Sequence, residues 1–140
     1  MRLLFLLLFM LTISCGHEPS ATKVGQSYID LLNRIGKELT NDAENDVMKL
    51  IAKSCTKKVN GAVWFEKREE FLPQLLSTGQ KIGHWVIHPL AIIPGADDRT
   101  VVVHFRVTSN NPDSWITMVI LRFDDSLQIR EIVEVFNKQD

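Results

Sequence analysis

RTVVVHFRVTSNNPDSWITMVILRFDDSLQIREIVEVFN, residues 99–137, is the stretch whose reading decides the fold. It divides into three consecutive strands, Arg99–Ser109, Ser114–Asp125 and Gln128–Asn137. In the first, Val101, Val103, Phe105 and Val107 alternate with Thr100, His104, Arg106 and Thr108, the period of two that marks a pleated strand with one buried face. Asn110-Asn111-Pro112-Asp113 and Asp124-Asp125-Ser126 break the run with residues that tolerate turn geometry and bond their own backbone. Breaks this short favour an antiparallel meander, and everything upstream must cover the sheet it makes.

Upstream, His84–Ile93 reads as a further strand, ended at Pro94-Gly95-Ala96-Asp97-Asp98 and made irregular by Pro89. From Lys23 to about Thr40, Val24, Tyr28, Leu31, Leu32, Ile35 and Leu39 recur at the spacing of an amphipathic helix. Ser20 or Thr22 can cap its start, Gly36 weakens it, and Thr40-Asn41-Asp42 breaks it. A second, shorter helix puts Val47, Leu50 and Ile51 on one face, with Asp42, Glu44 and Asp46 suited to the positive end of its dipole. Cys55 to Val63 reads as a short strand and loop. A third helical segment, about Glu66 to Gly79, carries Phe71, Leu72, Leu75 and Leu76; Pro73 is expected to kink or split it, and Gly79 and Gly83 to close it. Helices gathered before a largely antiparallel sheet make an α+β fold with the helices on one face. No internal repeat or low-complexity segment interrupts this order.

The 140 residues suit one domain, 45% hydrophobic and 24% charged, which is the balance of a folded chain. The net charge of −1 provides no basic field for a phosphate backbone, and the one basic cluster, Lys53, Lys57 and Lys58, reads as a solvated strand or loop. No nucleic-acid partner is expected.

Residues 1–15 read as a signal peptide and not as part of the fold. Arg2 gives a minimal positive start, Leu3 to Ile13 is too short an apolar run to span a bilayer, and Ser14-Cys15-Gly16 ends it with small residues. The pattern is similar to a bacterial lipoprotein signal with Cys15 as the lipidated first residue, although Thr12 stands where such signals carry Leu. Cleavage by the ordinary secretory peptidase near Ser14 or Gly16 is the alternative. Either places the mature chain outside the cytoplasm, with a membrane anchor through lipid on Cys15 in the first case. Residues 16–22 form a short polar tether and 23–140 the domain. With Cys15 acylated, Cys55 has no internal disulfide partner. Lysines 57 and 58 beside it could lower its pKa and make it reactive; the ordinary alternative is a small buried residue.

Two stretches carry a resemblance. Gln26-Ser27-Tyr28-Ile29-Asp30-Leu31-Leu32-Asn33, and Leu121-Arg122-Phe123-Asp124-Asp125 followed by Ile129 to Asn137, make the chain from about Val24 to Asn137 resemble the nuclear transport factor 2-like superfamily, which includes SnoaL-like polyketide cyclases and ketosteroid isomerases. The resemblance implies a cone (a cystatin-like roll) made of a curved antiparallel or mixed sheet and three N-terminal helices, closed around an apolar pocket. It puts Tyr28 on the oxyanion-donating tyrosine of the isomerases. The isomerase general base, an aspartate on the strand after helix two, falls in Lys57-Lys58-Val59-Asn60, which has no carboxylate. The second oxyanion donor falls on Val119. Proton abstraction beside a carbonyl needs that base and that pair of donors, so steroid-type isomerisation is not expected.

With Val119 inward, alternation also turns Trp115, Thr117 and Leu121 inward. The matching face of the last strand is Arg130, Ile132, Glu134 and Phe136. Together with Tyr28, Val103, Phe105 and Val107 they outline either a small-molecule pocket or an ordinary core. Glu134 is the sharpest single residue: between Ile132 and Phe136 it is expected to be partly desolvated, which suits acid–base work, while the ordinary alternative is a rim carboxylate paired with Arg130 or Lys138. His84 and His88 lie four apart without further ligands nearby and read as exposed or edge residues, and His104 as structural or interfacial; no metal and no cofactor is implied. The opposite sheet face, with Ile116, Met118, Ile120, Val133 and Val135, is apolar too, and a homodimer formed sheet to sheet is expected to cover it. Three functions follow as expectations: an exported, non-enzymatic protein binding a small apolar molecule or a partner; a cyclase, isomerase or hydrolase using Glu134 and Tyr28; or an assembly module working through its apolar sheet face.

Overall fold

The computed structural model describes residues 20–139; the expected signal peptide, Cys15 and most of the tether lie outside them. The elements run α1 (Ser20–Glu38), α2 (Glu44–Leu50), β1 (Ile51–Val59), β2 (Ala62–Phe65), α3 (Phe71–Ile82), β3 (Trp85–Pro94), β4 (Thr100–Ser109), β5 (Ser114–Phe123) and β6 (Ile129–Gln139), with 3₁₀ turns at Asn41–Ala43 and Arg68–Glu70. One six-stranded sheet has the order β2-β1-β6-β5-β4-β3. Only β1 and β6 pair in parallel; the other neighbours are antiparallel. The α+β class and the closing meander are therefore as read from the sequence.

Alternation along the strands supplies the core. Val101, Val103 and Phe105 on β4, Val119, Leu121 and Phe123 on β5 and Ile129 and Ile132 on β6 are all buried on the inner face. The apolar stripe of α1 packs on β3 and β4. Burying these side chains, at about 1.5–3 kcal/mol each, is what holds helix to sheet. The turn after β5 is an Asx turn: the Asp124 carboxylate accepts from the Ser126 and Gln128 backbone amides at 2.9 and 3.0 Å, which lets Leu127 take a φ of 60°.

Several local expectations are corrected. α1 begins at Ser20, so Thr22 lies inside the helix and the last part of the tether is helical. Ile51 belongs to β1 and not to the second helix, because the chain turns extended there. Cys55–Val63 is not a short strand and loop. It falls within a nine-residue strand and a hairpin, turned at Asn60 (φ 47°) and Gly61 (φ 84°), the dipeptide that best suits a two-residue hairpin turn. α3 starts at Phe71, which leaves Pro73 in its first turn, where the amide has no helical acceptor and proline neither kinks nor splits the helix. Gly79 lies inside α3, and Gly83 (φ 78°) ends it. The irregularity expected at Pro89 is a register shift between Pro89 and Ala91 on the edge strand β3.

Among the described residues no helix is long and apolar enough to cross a membrane.

Candidate functional site

Between α1, α3 and the concave sheet lies a cavity of two neighbouring lobes that share part of their lining. A narrow lobe of about 90 Å³ is bordered by Tyr28, Leu32, Trp85, Ile87 and Phe105. A wider lobe of about 200 Å³ is bordered by Trp64, Gln74, Trp115, Thr117 and Phe136. Lys57, Leu75, Thr78, Ile82, Val107 and Glu134 line both.

Each element delivers its residue for a local reason. On β1 the alternation Cys55, Lys57, Val59 is the buried face, so Lys57 points inward and is only 3% exposed. β6 pairs in register with β5, setting Glu134 opposite Val119 and Phe136 opposite Thr117. Lys57 Nζ lies 2.9 Å from Glu134 Oε2, and Glu134 is 17% exposed. Lys57 Nζ also sits 5.5 Å from the centroid of the Trp64 ring, a cation–π contact at the wall of the wider lobe. Trp85 is buried and donates from Nε1 to the Leu32 carbonyl at 3.0 Å.

Tyr28 is completely buried, packed edge-on to Phe71 with ring centroids 6.5 Å apart. Its hydroxyl has no hydrogen-bond partner among the described residues, and neither does Gln74 Oε1. A buried polar atom without a partner costs about 1–3 kcal/mol, and both atoms belong to residues lining the cavity. Burial, then the negative charge of Glu134, and then that of the Cys55 thiolate once alkali forms it, hold the Tyr28 hydroxyl well above its usual range near 10. It is a donor at neutral pH.

Tyr28, Phe105, Trp115, Thr117, Glu134 and Phe136 line the cavity. Val103, Val119 and Ile132 do not: they are fully buried in the hydrophobic core, packed against neighbouring side chains. Arg130 is not on the inner face. The β5–β6 ladder slips between Arg122 and Phe123, Ile129 takes the inward place opposite Phe123, and Arg130 is exposed. Glu134 pairs with Lys57 rather than with Arg130 or Lys138; Lys138 instead pairs with Asp113 at 2.9 Å. The reading of Lys57 as part of a solvated cluster is overturned, although Lys53 and Lys58 are exposed. Cys55 is the small buried residue and not a reactive thiol: burial pushes its pKa up to about 12, outweighing the lowering influence of Lys57. Sequence reasoning missed Lys57 and the α3 residues Gln74, Leu75, Thr78 and Ile82. The period of two through Cys55, Lys57 and Val59 was the available signal for the lysine.

His84 Nδ1 donates to the Lys37 carbonyl at 2.8 Å, and His88 Nε2 is hydrogen-bonded to Thr108 Oγ1 at 2.9 Å, both at the surface. No group of three or more His, Cys, Asp or Glu is placed to hold a metal among the described residues. The cavity contains one neutralised ion pair, the unpaired Tyr28 phenol and Gln74 side-chain carbonyl, two threonines and otherwise apolar walls; it can hold a small, mostly apolar molecule and offer it a hydrogen bond in the narrow lobe.

No family model matches the sequence, and no curated protein matches it. Solved structures do. A nuclear transport factor 2-like protein of unknown function from Exiguobacterium sp. 255-15 is 14% identical, with 81% of this chain and 98% of that one covered and a TM-score of 0.67. A candidate isomerase of the SnoaL-like family from Agrobacterium tumefaciens C58 is 13% identical over 86% of this chain and 99% of that one, at a TM-score of 0.64. An LEH-like epoxide hydrolase from M. tuberculosis is 15% identical over 84% and 83%, at 0.61. The fold is that of the SnoaL-like, nuclear transport factor 2-like proteins.

Proposed function

We propose that this domain binds a small, predominantly apolar molecule in the cone and does not turn it over. The observation that carries this reading is the cavity itself: apolar walls, with the buried Tyr28 hydroxyl left without a partner beside it. A carbonyl, ether or hydroxyl oxygen on the ligand would satisfy that phenol and remove the cost of leaving it bare. Glu134 faces the cavity, which favours the second reading, acid–base catalysis. Its partner Lys57 weighs against that, since the group the carboxylate engages at 2.9 Å is the lysine and not a carbon acid of a ligand.

The site of action proposed is the cell envelope, on the strength of Leu3 to Ile13 and Ser14-Cys15-Gly16. The partner proposed for the outer sheet face is a second copy of the chain, in keeping with the exposure of Met118 and Val135.

Native mass spectrometry of the full chain purified from its own host tests the reading. A small molecule retained under native conditions and lost on denaturation is the expected result. Protein that arrives empty, and stays empty against a panel of apolar compounds, contradicts it. The same spectrum reports a diacylglycerol adduct on Cys15 if the anchor is real.

A further inference from the structure

We propose that Lys57 captures small apolar aldehydes or ketones covalently, as an imine, with Glu134 carrying the protons. The inference rests on the ligand-binding reading and adds a chemical step to it. Lys57 is buried, whereas every other lysine among the described residues is exposed. A surface lysine is a hydrated cation without a nucleophilic lone pair. Lys57 is out of water, faces apolar walls made by Leu75, Ile82 and Val107, and has a carboxylate at 2.9 Å to receive its proton. That distance is within reach for direct proton transfer.

The step balances without any further reactant. The Lys57 ammonium gives one proton to Glu134, and the freed nitrogen attacks the carbonyl carbon. The nitrogen–carbon bond forms as the carbon–oxygen π pair moves onto oxygen. One proton passes from nitrogen to that oxygen, giving the carbinolamine. Glu134 then returns its proton to the hydroxyl, the carbon–oxygen bond breaks, and water leaves. The product is the protonated imine beside the Glu134 carboxylate, the same ion pair as before. The unpaired Tyr28 hydroxyl borders the narrow lobe together with Lys57 and Glu134 and can donate to the carbonyl oxygen. Apolar walls then protect the imine from hydrolysis.

The test is reductive trapping. The full chain is treated with benzaldehyde and cyanoborohydride, and adducts are located by peptide mass mapping, in the parent and in Lys57→Arg, which keeps the charge but cannot form an imine. Benzyl alcohol, which fits the same space but cannot react, serves as competitor, and its binding is followed by tryptophan emission. The expected result is labelling of Lys57 roughly 10²-fold faster than of the exposed lysines, the lower end of what a positioned general base supplies. Benzyl alcohol should protect Lys57 alone, and the Arg variant should keep only the surface labelling. Labelling of Lys57 no faster than of the surface lysines, with benzyl alcohol still bound, overturns imine capture and leaves the ligand-binding reading intact. If benzyl alcohol does not bind either and Lys57 stays unlabelled, both fall.

Discussion

Lys57 Nζ and Glu134 Oε2 meet at 2.9 Å across the parallel pair β1–β6, inside a cavity whose other walls are mostly apolar. In this fold the strand after the second helix is where the isomerases carry a carboxylate. Here that strand contributes the cation, and the anion comes from the last strand. The charges cancel in place, so removing Glu134 leaves Lys57 stranded out of water, while removing Lys57 leaves Glu134 partly solvated.

Glu134→Leu should therefore destabilise the protein by about 3 kcal/mol, because it leaves Lys57, 3% exposed, without a counter-charge. Lys57→Met should cost less, since Glu134 retains some access to solvent. The double variant Lys57→Met/Glu134→Leu should recover most of the loss, replacing a pair by apolar volume. Urea unfolding of the four proteins measures this; additive losses in the double variant would show that the two residues do not act as a pair.

Alkaline pH should unfold the protein early. The Cys55 thiol is raised from 9.0 to about 12, and the Tyr28 hydroxyl is raised above 10.0. Both groups bind their proton more tightly when folded than when unfolded. Their stabilising contribution is complete below pH 9 and is lost as pH rises from about 9 towards 12. In Cys55→Ala/Tyr28→Phe the fall in stability over that window should be smaller. Folded protein at pH 8 should also resist iodoacetamide at Cys55 until denaturant is added. Rapid labelling of folded protein would contradict the burial of the thiol.

Gly36→Ala tests the packing of α1 on β3. A helix interior usually gains up to about 1 kcal/mol from this change. Here the added Cβ would lie 2.4 Å from Trp85 Nε1, the atom that donates to the Leu32 carbonyl. Overpacking at such a point costs about 1–3 kcal/mol, so a net loss of stability is expected in thermal unfolding, together with a shifted Trp85 emission. A gain would mean that Trp85 moves freely.

The outer sheet face carries a fourth prediction. Met118 and Val135 are cross-strand partners, 49% and 58% exposed, with Ile116, Ile120 and Val133 around them. If a second copy covers this face, sedimentation at micromolar concentration should give a dimer, and Met118→Lys/Val135→Lys a monomer of nearly unchanged stability. A parent protein that sediments as a monomer contradicts the proposal.

The closing meander is legible because β4 alternates with a period of two and each break contains turn-forming residues, Asn111-Pro112 and Asp124-Asp125 among them. The hairpin at Asn60-Gly61 is not legible in this way, since Lys57 and Lys58 interrupt the apolar pattern and make Cys55–Val63 read as a short strand and loop. The sequence shows that lysine as one more charge; only the pairing of β1 with β6 brings it to Glu134. Val103, Val119 and Ile132 have the right face but the wrong depth. Periodicity assigns a side to a residue and does not say how far along a cone the side chains meet. Arg130 was misplaced by a one-residue slip in the β5–β6 ladder, a feature of pairing that no single strand records.

The most direct test of the account is to follow the three tryptophan indole NH resonances and the methyls of Met118 and Val135 by NMR while a small apolar ligand such as benzyl alcohol is added. Trp64 and Trp115 border the wide lobe and Trp85 the narrow one. The account expects saturable shifts of these indoles that fit one binding constant, with the outer-face methyls unmoved. Indoles that do not respond, or shifts confined to Met118 and Val135, would contradict a ligand site inside the cone.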